Sequence, residues 1–178
     1  MAITKIQSES LNLADTYDFT GTVTGAGESN TPLVSVKMSG GQTTTDATHT
    51  LVAFNSVDID TDSAFDNTAT NYKFTVPAGK AGTYMITYMA TSFNEQSQTI
   101  QVQGHIYKNG STVAYQRQRN DGTNTQTTRH AGTTVHWVGD LSVGDYIQFY
   151  YYHDIGADVP QLQGSQQSRA TIMRIKAS

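Results

Sequence analysis

The sequence predicts an all-β protein: a two-sheet jelly-roll sandwich of about ten short antiparallel strands. Three observations predict the sandwich. Thr and Tyr, which suit pleated surfaces, are abundant, with 10 Tyr in 178 residues, while Gly and Asn supply turns. Short alternating or apolar segments recur between turn signals at sandwich spacing. No segment carries a convincing amphipathic-helix period.

Taken in order, residues 33–38 alternate and 43–48 form a polar loop. Residues 50–58 are apolar and β-prone, and 71–76 form a strand ended by Pro77 and Gly79. Residues 83–93 carry the strongest strand pattern. Residues 101–107 and 112–119 flank Lys108-Asn109-Gly110, and Asn-Gly suits the type I′ turn of a tight hairpin. A Gly/Asn/Thr loop over 120–128 precedes a strand at 133–141, and Ser142-Val143-Gly144-Asp145 turns the chain. Residues 146–153 make an aromatic strand, 155–167 a long polar loop, and 169–176 the last strand.

The bulk composition excludes several classes. A net charge of −4 with 15% charged residues is unsuited to phosphate-backbone binding, which needs clustered cations, so no nucleic acid is expected. Without cysteine there is no disulfide framework and no thiolate metal site. No apolar run reaches membrane-span length and no signal-peptide pattern opens the chain, so neither membrane insertion nor secretory export is expected. Residues 1–30 differ from the rest: scattered apolar residues lead into a Gly-rich hinge ending at Pro32. They read as an anchoring arm and hinge, or as a strand completing the domain's own sheet; residues 31–178 form the domain.

The segment from Ala53 to Ala90 joins Phe65-Asp66 to a Tyr-x-Phe-Thr-x-Pro strand end and a Gly-x-Tyr-x-Ile-x-Tyr strand. With Lys108-Asn109-Gly110 and Val143-Gly144-Asp145-Tyr146-Ile147, it resembles the globular domain of complement C1q, related to the tumour-necrosis-factor fold. The likeness covers about residues 33–178, and the usual Phe-Ser-Gly near the last strand is absent at Ser168. It implies a compact homotrimer whose inner sheet faces a threefold axis, and a binding module rather than an enzyme. The arm has no Gly-X-Y period and is too short for a collagen stem. It looks more like the adaptor segments of bacteriophage tail or capsid proteins.

Alternation divides the strongest strand. Tyr84, Ile86 and Tyr88 share one face; Met85, Thr87 and Met89 share the other. By the resemblance the first set fills the sandwich and the second meets sister chains, Met being adaptable at a seam; the alternative buries both faces within one subunit. Thr134, His136 and Val138 make the matching set three strands on. His136 would pair within the interface, or three copies would converge on an anion or metal. Tyr146, Gln148, Tyr150 and Tyr152 lie opposite Ile147 and Phe149; such rings suit sugar or protein contacts unless loops or subunits cover them. Arg117 and Arg119 flank the 120–128 loop as candidate ligand-binding cations, or simply solubilise it.

Asp58, Asp60, Asp62 and Asp66 are candidate oxygen ligands for calcium, the one cofactor the sequence suggests. Ser63 stands where an EF-type loop needs Gly, and Ala69 where it needs Glu, so the bland reading is a solvated acidic loop. No nucleophile elbow, zinc-ligand pair or phosphate-binding Gly motif occurs, so no catalytic residue is assigned and an enzyme is not expected. The sum is a non-enzymatic phage virion protein, assembled in the host cytoplasm and released on lysis. It would be a trimeric tail-fibre or adhesion module docked on another virion protein through residues 1–30. Its head would touch host surface polysaccharide. A capsid decoration (head fibre) protein and a soluble lectin module are the alternatives.

Overall fold

Buried and partly exposed side chains alternate along residues 33–37 and 146–153, so each of these strands gives one face to a shared core. The structure, a computed structural model, describes residues 30–94, 100–120, 129–156, 159–162 and 167–178. These form β1 (Leu33–Lys37), β2 (Gln42–Thr44), β3 (Thr50–Leu51), β4 (Ser56–Asp60), β5 (Phe65–Asp66), β6 (Lys73–Thr75) and β7 (Gly82–Asn94). They continue as β8 (Ile100–Lys108), β9 (Ser111–Asn120), β10 (Arg129–Leu141), β11 (Tyr146–His153), β12 (Val159–Leu162) and β13 (Arg169–Ala177).

Two antiparallel sheets result. The first runs β2–β12–β7–β13–β1–β4, with β10 also paired to β7; the second runs β5–β6–β11–β8–β9, with β3 also paired to β11. The sandwich core lies between them. Tyr84, Ile86 and Tyr88 of β7 face Ile106 of β8 and Ile147 and Phe149 of β11, all fully buried. Phe54 stands edge-on to both Tyr88 and Phe149, at 6.0 and 5.5 Å between ring centres, an arrangement that aromatic quadrupoles favour. Gly104 sits where a Cβ would come within 2.5 Å of the Thr133 hydroxyl and 3.0 Å of the Tyr88 ring, so glycine lets β8 approach β10.

The hairpin β8–β9 closes at Asn109-Gly110, both with positive φ (51° and 80°), the conformation that a two-residue type I′ turn demands. The next turn is tied to it. Asp145 accepts hydrogen bonds from the Asn109 amide at 2.7 Å and the Ser142 N–H at 2.8 Å, and pairs with Lys108 at 2.9 Å.

Thirteen strands stand among the described residues, where about ten were expected. The additional ones are two to four residues long, too short for a periodic signal. The 50–58 segment divides into β3 and the start of β4, because residues 52–55 leave the ladder between them. The expected polar loop at 43–48 overlaps β2 and that at 155–167 contains β12, and the two strands pair with each other. Residues 1–29, with nearly all of the proposed arm, and the 121–128 loop lie outside the described residues.

Candidate functional site

The two sheets present outer faces of different chemistry. On the first sheet, cross-strand register assembles rows. Val138, Met85, Met173 and Leu33 stand side by side on β10, β7, β13 and β1. Met85 is 39% and Val138 58% exposed, so this row is apolar surface open to solvent in the single chain. The next row is His136, Thr87, Thr171, Ser35 and Ile59, and Ile59 is 44% exposed. Within it the Thr87 hydroxyl lies 3.2 Å from Nδ1 of His136, giving that ring a hydrogen-bond partner inside its own subunit. The third row joins Thr134, Met89, Arg169 and Lys37, and Lys37 pairs with Asp58 at 2.5 Å. The structure thus gathers Met85, Thr87, Met89, Thr134, His136 and Val138 on one face, opposite the buried Tyr84, Ile86 and Tyr88.

The outer face of the second sheet is aromatic. Tyr146, Gln148, Tyr150 and Tyr152 project from β11 and are each half-buried. Their neighbours were not anticipated from sequence: His49, His105, Tyr107 and Tyr115. Register places Tyr150 beside His105 and His105 beside Tyr115. The Tyr107 and Tyr150 rings lie 4.3 Å apart, and the His105 ring stacks on Tyr115 at 5.2 Å with 12° between planes. His49, from the segment between β2 and β3, reaches over this surface. Its Nδ1 is 2.6 Å from the Tyr107 hydroxyl, and its ring centre is 4.4 Å from that of His105 and 5.2 Å from that of Tyr152. One loop of the same chain therefore covers part of the tyrosine face. Lys73 lies over the Tyr146 ring at 5.5 Å. Arg117 stands across from Gln103 on this face, and Arg119 across from Gln101; both are exposed.

His105 is 5% exposed. Burial, with the His49 imidazole beside it, pushes its pKa down to about 4, because both disfavour the imidazolium. Its Nε2 lies 3.0 Å from the Gln103 amide oxygen and so carries the proton, and its buried Nδ1 has no hydrogen-bond partner.

The four aspartates are occupied separately. Asp58 binds Lys37, and Asp62 binds Lys80 at 3.4 Å. Asp60 accepts the backbone N–H groups of Ala64 and Phe65, both at 2.9 Å, fixing the turn after β4. Asp66 takes the Thr68 hydroxyl and N–H and the Asn71 amide; these hydrogen bonds hold its pKa below the usual carboxylate value. Among the described residues, no three acidic or histidine side chains come together as a metal cage.

An all-β, two-sheet antiparallel sandwich of this strand order is a jelly roll of the C1q and tumour-necrosis-factor type. Solved structures carry the same fold. The globular domain of zebrafish complement 1qA protein superposes with a TM-score of 0.56 at 15% identity, over 83% of this chain and 100% of that one. The Eiger TNF of S. frugiperda does so with 0.59 at 12% identity, over 82% and 93%. No family model matches the sequence. No curated protein matches it either.

Proposed function

We propose that the chain is a non-enzymatic virion structural protein of a bacteriophage: a homotrimeric tail-fibre or adhesion module with a C1q-like head. The observation that carries the trimer is the open apolar row Val138–Met85–Met173–Leu33 on the first sheet. A monomer that left it in water would forgo the burial energy of about 25 cal/mol per Å² that association recovers. Three such faces around an axis would bury their Met side chains, which adapt to an imperfect seam.

With that sheet committed to sister chains, the aromatic sheet faces outward. Half-buried tyrosines with free edges suit contacts to sugar rings, and host surface polysaccharide is the partner we assign to them. The polar, Lys-poor, Thr- and Asn-rich composition favours display on a particle, with residues 1–30 as the attachment to another virion protein. Tail fibre and capsid decoration share this design and differ in where the arm docks. No cofactor enters the proposal, since each of the four aspartates is already taken by a partner within the chain.

Immunogold electron microscopy of purified particles, with antibody raised against residues 31–178, tests the virion role. Label at one fixed position on the particle supports it. Particles free of label, with the antigen only in the soluble lysate, contradict it.

A further inference from the structure

We propose that Tyr115, stacked on His105, and Arg117 form a subsite on the second sheet for a sugar ring that bears a carboxylate, as in a uronic-acid polysaccharide. This deepens the polysaccharide-binding role assigned above and rests on it.

Among the described residues, Tyr115 is the most exposed of the large apolar side chains, at 60%. An exposed tyrosine ordinarily samples several rotamers. This one lies nearly parallel to a buried imidazole, 12° between planes, so its orientation is set before any ligand arrives. Pre-ordering removes part of the entropy cost of binding. One ring face rests on His105 while most of the side chain stays in water, leaving the opposite face open. Such a face accepts the C–H side of a pyranose ring.

Arg117 is the next outward residue on β9, two positions along and so about 7 Å away, roughly one sugar ring. It is exposed and makes no ion pair among the described residues. Its fork of donors matches a carboxylate in two parallel hydrogen bonds. His105 supplies no competing charge near pH 7, since burial keeps it neutral. Gln103, opposite Arg117, has its amide oxygen held by His105, and Tyr152 is its other neighbour in this row. A phosphate polymer fits less well, since it needs a cluster of cations and this strand projects only Arg117 and Arg119.

The test uses the full chain and two probes, hexa-galacturonate and neutral maltohexaose, in titration calorimetry or ligand-observed NMR at 50 and 300 mM salt. Binding of the galacturonate with weakening at high salt, a loss of tenfold or more for Tyr115→Ala, and a loss of at least fivefold for Arg117→Gln support the subsite. Both variants sit at exposed positions, and unchanged melting temperatures confirm that they fold. Galacturonate binding that neither substitution alters overturns it. Binding of maltohexaose alone overturns the acidic subsite and leaves polysaccharide binding standing. No binding of either probe, in a protein that immunogold places on the particle, overturns the subsite while the virion role stands.

Discussion

Met85 and Val138 stand opposite each other across the β7–β10 ladder, both exposed, on the face that turns away from the core. Their neighbours Tyr84 and Ile86 are fully buried, so by alternation alone the strand gives one face to the core and the other to solvent. Charges placed at the open positions should leave the fold intact and disrupt association. Met85→Lys and Val138→Asp are expected to shift the chain from trimer to monomer by at least tenfold in midpoint concentration, with near-ultraviolet dichroism unchanged. Sedimentation velocity across a concentration series checks this.

Asp145 links two turns by taking hydrogen bonds from Asn109 and Ser142 and pairing with Lys108. Those contacts, the Lys108 hydrogen bond foremost, lower its pKa to about 2 from 3.8. A carboxylate with a depressed folded pKa stabilises the protein above pH 4, and that contribution disappears as pH falls toward 2. Asp145→Ala is expected to cost about 1–2 kcal/mol at pH 7, and to cost much less at pH 2. Urea titrations at both pH values measure the difference.

His105 has the opposite chemistry and the same direction with pH. Its folded pKa near 4 lies below the ordinary 6.5, so the unfolded chain takes up the proton first. Stability is complete above pH 6.5, falls as pH drops from 6.5 to 4, and is level below that as far as this group decides. His105→Phe keeps a flat ring under Tyr115 and removes the titration. Melting temperature against pH between 7 and 4 should therefore be flatter in the variant than in the parent chain. Equal slopes would show that His105 does not carry the acid sensitivity.

Gly104 faces the core where a methyl group would press on Thr133 and Tyr88. Gly104→Ala is expected to destabilise by about 1–3 kcal/mol, the usual cost of overpacking. Thermal or urea unfolding reads it directly, and a neutral result would mean that β8 and β10 can separate without loss.

The long strands were legible because alternation over eight or more residues is unambiguous; β11 matches its expected bounds of 146–153. The Asn109-Gly110 turn was legible from turn chemistry alone. Strands β2, β3, β5 and β12 exist through tertiary pairing, which leaves no local period. The His105–Tyr115 stack illustrates a subtler limit. Counting back from the tight turn pairs His105 with Ala114 and turns Ala114 outward. A bulge between Ile106 and Tyr107 shifts the register by one, so that Tyr115 meets His105 and Ala114 packs against the core. A single inserted residue exchanges the two faces of a strand. His49 was hidden for another reason, since it reaches the face from a separate segment.

The central claim is that the first sheet's outer face joins three copies of the chain. Native mass spectrometry at micromolar concentration measures this most directly. A single species at three times the 19.4 kDa chain mass is the expected result. A monomer at that concentration, with the open row of Val138, Met85, Met173 and Leu33 left in water, would contradict it.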